Sequence, residues 1–179
     1  MGLSAKGYLL RAPEPEDLEF MYQFENTPSL WTVSNTTGPY SRYALKQYIL
    51  EQKNDLYVDN QLRLMIENLE HQLVGIIDLF NFEPFHRRAE VGIAILPAYR
   101  CQGIATLALG LLQEYCFHYL GLHQLYAYVD ASNEASLRLF SGCSFTECAL
   151  LKEWMRQGKE YKDVKMLQCL ASTGYSSNR

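Results

Sequence analysis

Six residues, Arg100-Cys101-Gln102-Gly103-Ile104-Ala105, stand between an apolar run stopped by Pro97 and a segment whose apolar side chains fall at helical spacing: Ile104, Leu107, Ala108, Leu111, Leu112 and Tyr115. The start of a helix presents backbone N–H groups without intrahelical partners and a partial positive charge. Glycine and other small residues let a phosphate come close to that backbone. The amides from Arg100 to Thr106 are therefore a candidate cradle for a pyrophosphate. On these six residues alone, a plain strand-to-helix turn with Gly103 serving packing stands beside that reading. Two carboxylates, Asp78 and Glu90, fall on adjacent predicted strands. Either could take a proton from a nucleophile, directly or through water. The competing readings are an ion pair of Glu90 with Arg87 or Arg88 and a structural hydrogen bond at Asp78.

Other chemistries fit less well. No GxxxxGK[ST] occurs, which disfavours a P-loop nucleoside triphosphatase. Gly103-x-Ala105-x-x-Ala108 loosely matches a dinucleotide fingerprint, with Asp130 at the end of the next strand. However, six residues separate Leu96 from Gly103, too many for that tight turn. The five cysteines (101, 116, 143, 148 and 169) contain no C-x-x-C, and the four histidines (71, 86, 118 and 123) lack ligand spacing. No metal site and no disulfide framework are expected. Hydrophobic residues make up 48% and charged residues 20% of the 179, which fits a folded domain. The formal net charge of −4 argues against nucleic-acid binding. No 18-residue apolar stretch predicts a membrane span. Arg11 and Pro13 interrupt any signal-type apolar core, so a cytoplasmic protein is expected.

The elements that must position these groups can be read from periodicity. A short strand spans 7–11. Pro13 and Pro15 mark a turn, and Glu16-Asp17 open a first helix. The segment 27–40 reads as a loop, and Ser41 caps a second helix. Residues 61–67 and 73–80 read as an antiparallel hairpin, followed by AEVGIAIL at 89–96, a run suited to a strand buried on both faces. After the helix from Ile104 come a strand at 124–129, a short helix at 134–141 capped by Asn133, and a final hairpin around Gln157-Gly158. The expectation is an α/β chain of the α+β type: a mixed, mostly antiparallel sheet of about seven strands, flanked by helices. The strands 89–96 and 124–129, joined through a helix, should be a parallel pair. One domain covers 7–170, and 171–179 reads as a tail. The edge strands of the last hairpin leave room for a homodimer.

Taken together these residues resemble the GNAT N-acetyltransferases. Arg100-x-x-Gly103-x-Ala105 matches that family's acyl-CoA signature, Q/R-x-x-G-x-G/A. Leu10-Arg11 with Glu16-Asp17-Leu18 resembles its first strand and helix, and HRRAEVGIAILPAYRCQGIATLAL its fourth strand and third helix. Asn133-Glu134-Ala135-Ser136 through Phe145 sits where the family has N-x-x-A/S and Y-x-x-x-G-F. Lys162-Asp163-Val164-Lys165-Met166 resembles its last strand. The resemblance is closest to the subgroup of spermidine and ribosomal-protein alanine N-acetyltransferases. It implies that acetyl-CoA binds where the parallel pair splays. Its pyrophosphate would lie on Arg100, Cys101, Gln102, Gly103, Ile104, Ala105 and Thr106, and its pantetheine arm along Ile93, Ala94 and Ile95. Asn133, Ser136 and Phe140 would lie near the reacting end. An amine, on a small molecule or a peptide N-terminus, would attack the thioester directly.

Two departures bear on catalysis. The family's tyrosine acid aligns with Phe140, and the glycine of G-F is Ser144. Tyr126 and Tyr128 are eligible replacements. A second reading follows from Phe140: an acyl-CoA-binding module with weak or vestigial catalysis. For the acceptor, 31–43 reads WTVSNTTGPYSRY without an acid, and Asn81 stands at a place suited to one. That argues against a strongly cationic polyamine, with Glu25, Asp55 and Glu83 as further carboxylates. Trp31 and Tyr40, with Asp78 and Asn81, are the expected acceptor contacts.

Overall fold

Alternating apolar residues build the centre of the sheet. The computed structural model describes residues 3–31 and 38–171. In it β3 (Leu62–Asn68), β4 (Leu73–Glu83) and β5 (Arg88–Ile95) form an antiparallel meander. On one side lie β1 (Ser4–Ala5) and β2 (Tyr8–Arg11). On the other lie β6 (Gln124–Asp130), β7 (Thr146–Gln157) and β8 (Glu160–Leu170). The order is β1-β2-β3-β4-β5-β6-β8-β7. β5 and β6 pair in parallel and the other neighbouring strands pair antiparallel, as the sequence led us to expect. The described residues form eight strands, one more than the seven read from the sequence. The extra one is β1, which pairs Ser4 with Leu9 and Ala5 with Tyr8. Two residues are too few to leave a periodic signal.

The helices cover both faces. Helices α1 (Leu18–Glu25) and α3 (Arg42–Glu51) lie where the spacing placed them, and Ser41 Oγ accepts the Ala44 N–H at 3.1 Å. Two short helices fall in stretches without a helical signal: α2 (Pro28–Trp31), begun by a proline, and α4 (Leu56–Asp59), capped by Asp55. Helix α5 (Ile104–Glu114) continues into a π-type turn at Tyr115–Tyr119. Helix α6 (Glu134–Gly142) begins at Asn133, whose Oδ1 accepts the Ser136 N–H at 3.1 Å.

Pleating sorts the core into two layers. Met65 and Ile76, opposite one another in β3 and β4, pack with Met21 and Phe24 of α1 and Leu45 and Ile49 of α3. Their neighbours Leu64 and Ile77 face the other way, onto the layer of Ile104, Ala108 and Leu112 of α5. Each such side chain contributes about 1.5–3 kcal/mol on full burial. The central strands are therefore apolar on both faces. The same alternation sends Arg63, Asp78, Phe80 and Glu90 to the α1/α3 face, since Arg63 pairs with Asp78 and Phe80 with Glu90. Gly75 allows β4 and β5 to close up: a β-carbon there would stand 2.5 Å from the Ala94 carbonyl oxygen.

Candidate active site

β5 and β6 are paired only from Arg88 opposite Gln124 to Glu90 opposite Tyr126. Beyond that point β5 stays with β4 as far as Ile95, while β6 stays with β8 as far as Asp130. The two strands part because each keeps its antiparallel partner. Behind the fork opens a cavity of about 910 Å³ lined by α1, α3, β3 to β6, α6 and the β7–β8 hairpin. One edge of β5 at Ile93 to Ile95 is thereby left without a strand partner.

At the far end of β5 the chain turns into α5. Arg100 Nε donates to the Ile95 carbonyl at 3.0 Å, which ties the loop to the strand end. Cys101 (φ 60°) and Gly103 (φ 78°) both adopt the left-handed conformation. The first α-helical bond there runs from Leu107 N–H to the Gly103 carbonyl at 3.0 Å. The amides of Ile104, Ala105 and Thr106 come before it, which is the arrangement that favours an anion. Of the other expected coenzyme residues, Ile93, Ala94, Asn133, Ser136 and Phe140 line the cavity. Phe140 is 3% exposed and packs edge-on against Phe145, with ring centres 5.0 Å apart. An edge strand, a free helix start and a dry ring at the fork fit the three parts of acetyl-CoA: the amide-bearing arm, the pyrophosphate and the thioester end.

The acceptor side is more acidic than residues 31–43 suggested. Glu25, Asp78, Glu90 and Asp130 line the cavity, and among its described walls Arg63 is the cationic side chain. Arg63 Nε and Nη2 donate to both oxygens of Asp78 at 2.9 and 2.8 Å, and Nη1 donates to Glu25. The guanidinium lies 5.7 Å from the centre of the Tyr48 ring, whose hydroxyl is pushed up to about 12, mainly by burial. Asp78 thus has both oxygens already engaged by a fixed cation. Glu90 differs. It is 7% exposed, and Oε2 accepts from Asn81 Nδ2 at 2.8 Å. Arg88 is committed to Glu83 at 2.7–2.9 Å, and Arg87 reaches the Gly121 carbonyl at 3.4 Å. Among the described residues, no arginine therefore neutralises Glu90. Burial raises its pKa, and the Asn81 hydrogen bond opposes the rise.

Of the expected acceptor contacts, Tyr40, Asp78 and Asn81 line the cavity, while the Trp31 side chain lies outside the described residues. Sequence reasoning missed Arg63 and Trp154. Arg63 alternates with Leu62 and Leu64, the pattern of a solvent-facing residue, and only packing by α1 and α3 covers it. Trp154 stacks on Tyr128 at the cavity, with ring centres 6.4 Å apart. A bulge between Leu151 and Met155 brings it there, a feature without a sequence signature.

The family profile of the acetyltransferase (GNAT) domain matches residues 8–146. The spermidine N(1)-acetyltransferase of Vibrio cholerae is 30% identical over 165 residues, 91% of this chain and 92% of that protein. The enzyme of the same name from Escherichia coli K12 is 30% identical over 171 residues, 91% and 86% of the two chains. A crystal structure of spermidine N-acetyltransferase from Vibrio cholerae, in complex with CoA and spermine, superposes with a TM-score of 0.84 at 28% identity, covering 96% of this chain and 99% of that one. The chain belongs to the GNAT acetyltransferase family. It is an acetyl-CoA-dependent N-acetyltransferase, and its acceptor is an amine.

Proposed function

We propose that the acceptor is a primary amine of an aliphatic polyamine such as spermidine. The observation that carries this reading is the wall of four carboxylates against one guanidinium beside the fork in the sheet. A flexible polycation gains from such a wall, whereas a peptide chain has no comparable charge density. The spermidine acetyltransferases to which the chain is similar support the same choice.

The coenzyme supplies an activated thioester carbonyl. In our reading the chain holds the coenzyme through the amides of Arg100, Cys101, Gln102, Gly103, Ile104, Ala105 and Thr106 and along the open edge at Ile93, Ala94 and Ile95. Asn133, Ser136 and Phe140 wall in its reacting end. No cysteine lines the described cavity, which favours direct attack by the amine over an acetylated protein. An alkylammonium with pKa near 10.4 is neutral in only about one molecule in two thousand at pH 7, so removal of its proton limits attack. Glu90 is the base, directly or through one water. Asp78 and Glu25, held by Arg63, attract the cation. As the amine nitrogen bonds to carbon, the carbon–sulfur bond breaks and its electron pair leaves on sulfur. Thiols ionise near 8–9, so this leaving group departs without a strong acid, consistent with phenylalanine at 140.

Steady-state turnover of acetyl-CoA over spermidine, spermine and an alanyl peptide, with products read by mass spectrometry, tests the proposal. Expected is monoacetylated polyamine at a kcat/KM at least ~10-fold above that for the peptide, falling with added salt. Turnover confined to the peptide overturns it.

A further inference from the structure

We infer that Asn81 is a positioning residue for the reaction, turned by a bulge in β4 onto Glu90 so that the carboxylate presents its other oxygen to the acceptor amine. The inference rests on Glu90 as the base. It begins with the register. Phe80 faces Glu90 and Glu83 faces Arg88, so Asn81 and Phe82 together oppose the single residue Ala89. Phe82 and Ala89 both belong to the buried layer under α5. Asn81 is therefore the inserted residue.

Regular pleating would put residue 81 on the face opposite to Glu90. The bulge cancels that alternation. Asn81 adopts φ 49°, in the left-handed region that costs a side-chain-bearing residue energy and that asparagine tolerates better than most. A bulge that re-aims a side chain beside a site is a recurring device. Here the result is the 2.8 Å bond from Asn81 Nδ2 to Glu90 Oε2.

The choice of an amide matters because Glu90 has no cationic partner among the described residues. Across β4, Asp78 is held with Glu25 by Arg63, near Tyr48 of α3, and Glu83 is held by Arg88 of β5. On β6, Tyr126 stands opposite Glu90 with its hydroxyl pushed up to about 12 by burial and then by that carboxylate; Tyr128 follows two residues on. Burial among these groups disfavours the ionised base, and a neutral donor stabilises it without adding a charge that would repel the acceptor. An aspartate at 81 would do the reverse.

The full-length protein is compared with Asn81→Gly, Asn81→Ala, Asn81→Asp and Glu90→Gln. Two quantities are read: the pH dependence of kcat/KM with spermidine, and the Glu90 titration midpoint by carboxyl 13C NMR of glutamate-labelled protein, assigned with Glu90→Gln. Asn81→Gly removes the amide and relieves the backbone, so it keeps the melting temperature. Expected for Gly and Ala is a midpoint raised by about one pH unit, with an acid limb displaced equally, a rate lowered toward tenfold on that limb and restored at high pH. Asn81→Asp shifts further in the same direction. An unmoved midpoint, or a rate lowered by one factor at every pH, overturns the positioning role. Glu90→Gln at wild-type rate instead overturns Glu90 as the base. A loss of 100-fold or more in Glu90→Gln with an unmoved midpoint in Asn81→Gly overturns only the role of Asn81.

Discussion

The family resemblance aligns the usual proton donor with Phe140, and that ring is part of the core. Phe140 is nearly dry, packs on Phe145 and borders the cavity. In the proposed reading, a hydroxyl added to that ring would face the thioester end of the coenzyme. Phe140→Tyr should leave kcat unchanged or raise it by up to about tenfold, because a thiolate needs little help and a positioned acid contributes about 10²–10⁴-fold only when departure limits the rate. Rapid-quench kinetics with acetyl-CoA would show this. A loss beyond tenfold would mean that residue 140 does not face the thioester end. The sequence placed a phenylalanine at this position, and the structure brings it to the cavity wall. The sequence could not show that the ring is held at the cavity by its place on α6 and by Phe145 rather than turned into solvent.

The loop entering α5 concentrates two left-handed residues within three positions, and Gly103 is the one suited to it by type. A β-carbon at 103 would meet no atom within 4 Å, so substitution costs backbone energy and no clash. Gly103→Ala should therefore cost about 1 kcal/mol, seen as a fall of roughly 2–4 °C in melting temperature. It should also weaken CoA binding in calorimetry, because the amides of Ile104 to Thr106 are aimed by that turn. Unchanged CoA affinity would remove this loop from the site. The helix, its glycine and its small residues were readable in advance. The fork that gives the loop a purpose came only from the family resemblance and not from any local pattern, since it arises from where β5 and β6 exchange partners, a property of pairings more than thirty residues apart.

Over the whole molecule, two buried carboxylates pull stability in opposite directions. The Glu67 pKa is lowered, first by the Arg11 hydrogen bond and then by that of His71. Its contribution is present above the unfolded value near 4.3 and is lost as the pH falls through the lower folded value. The Glu90 pKa is raised by burial. There the unfolded chain ionises first, so stability declines as the pH rises from about 4.3 through the higher folded value. Melting temperatures measured from pH 3 to 8 should show Glu67→Gln below the wild type at pH 7 and Glu90→Gln above it, with both differences shrinking toward pH 3. A Glu90→Gln protein less stable than the wild type at pH 7 would contradict the raised pKa. A gain in stability together with a loss of turnover is the signature of a base kept in a site that does not favour its charge.

Helical spacing, strand alternation, Ser41 and Asn133 as caps, and the motif from Arg100 to Ala105 are local properties, and local physics was enough to place them along the chain. The family followed from their order. The acidity of the acceptor wall was not local. Residues 31–43 carry no acid, yet Glu25, Asp78, Glu90 and Asp130 arrive from one helix and three strands, and Arg63 claims two of them. Asn81 reads in the sequence as an acceptor contact just past a strand end, with no link to Glu90. Only an unequal count of residues in two paired strands turns it toward Glu90, because a bulge is a relation between strands and leaves no pattern in either one alone.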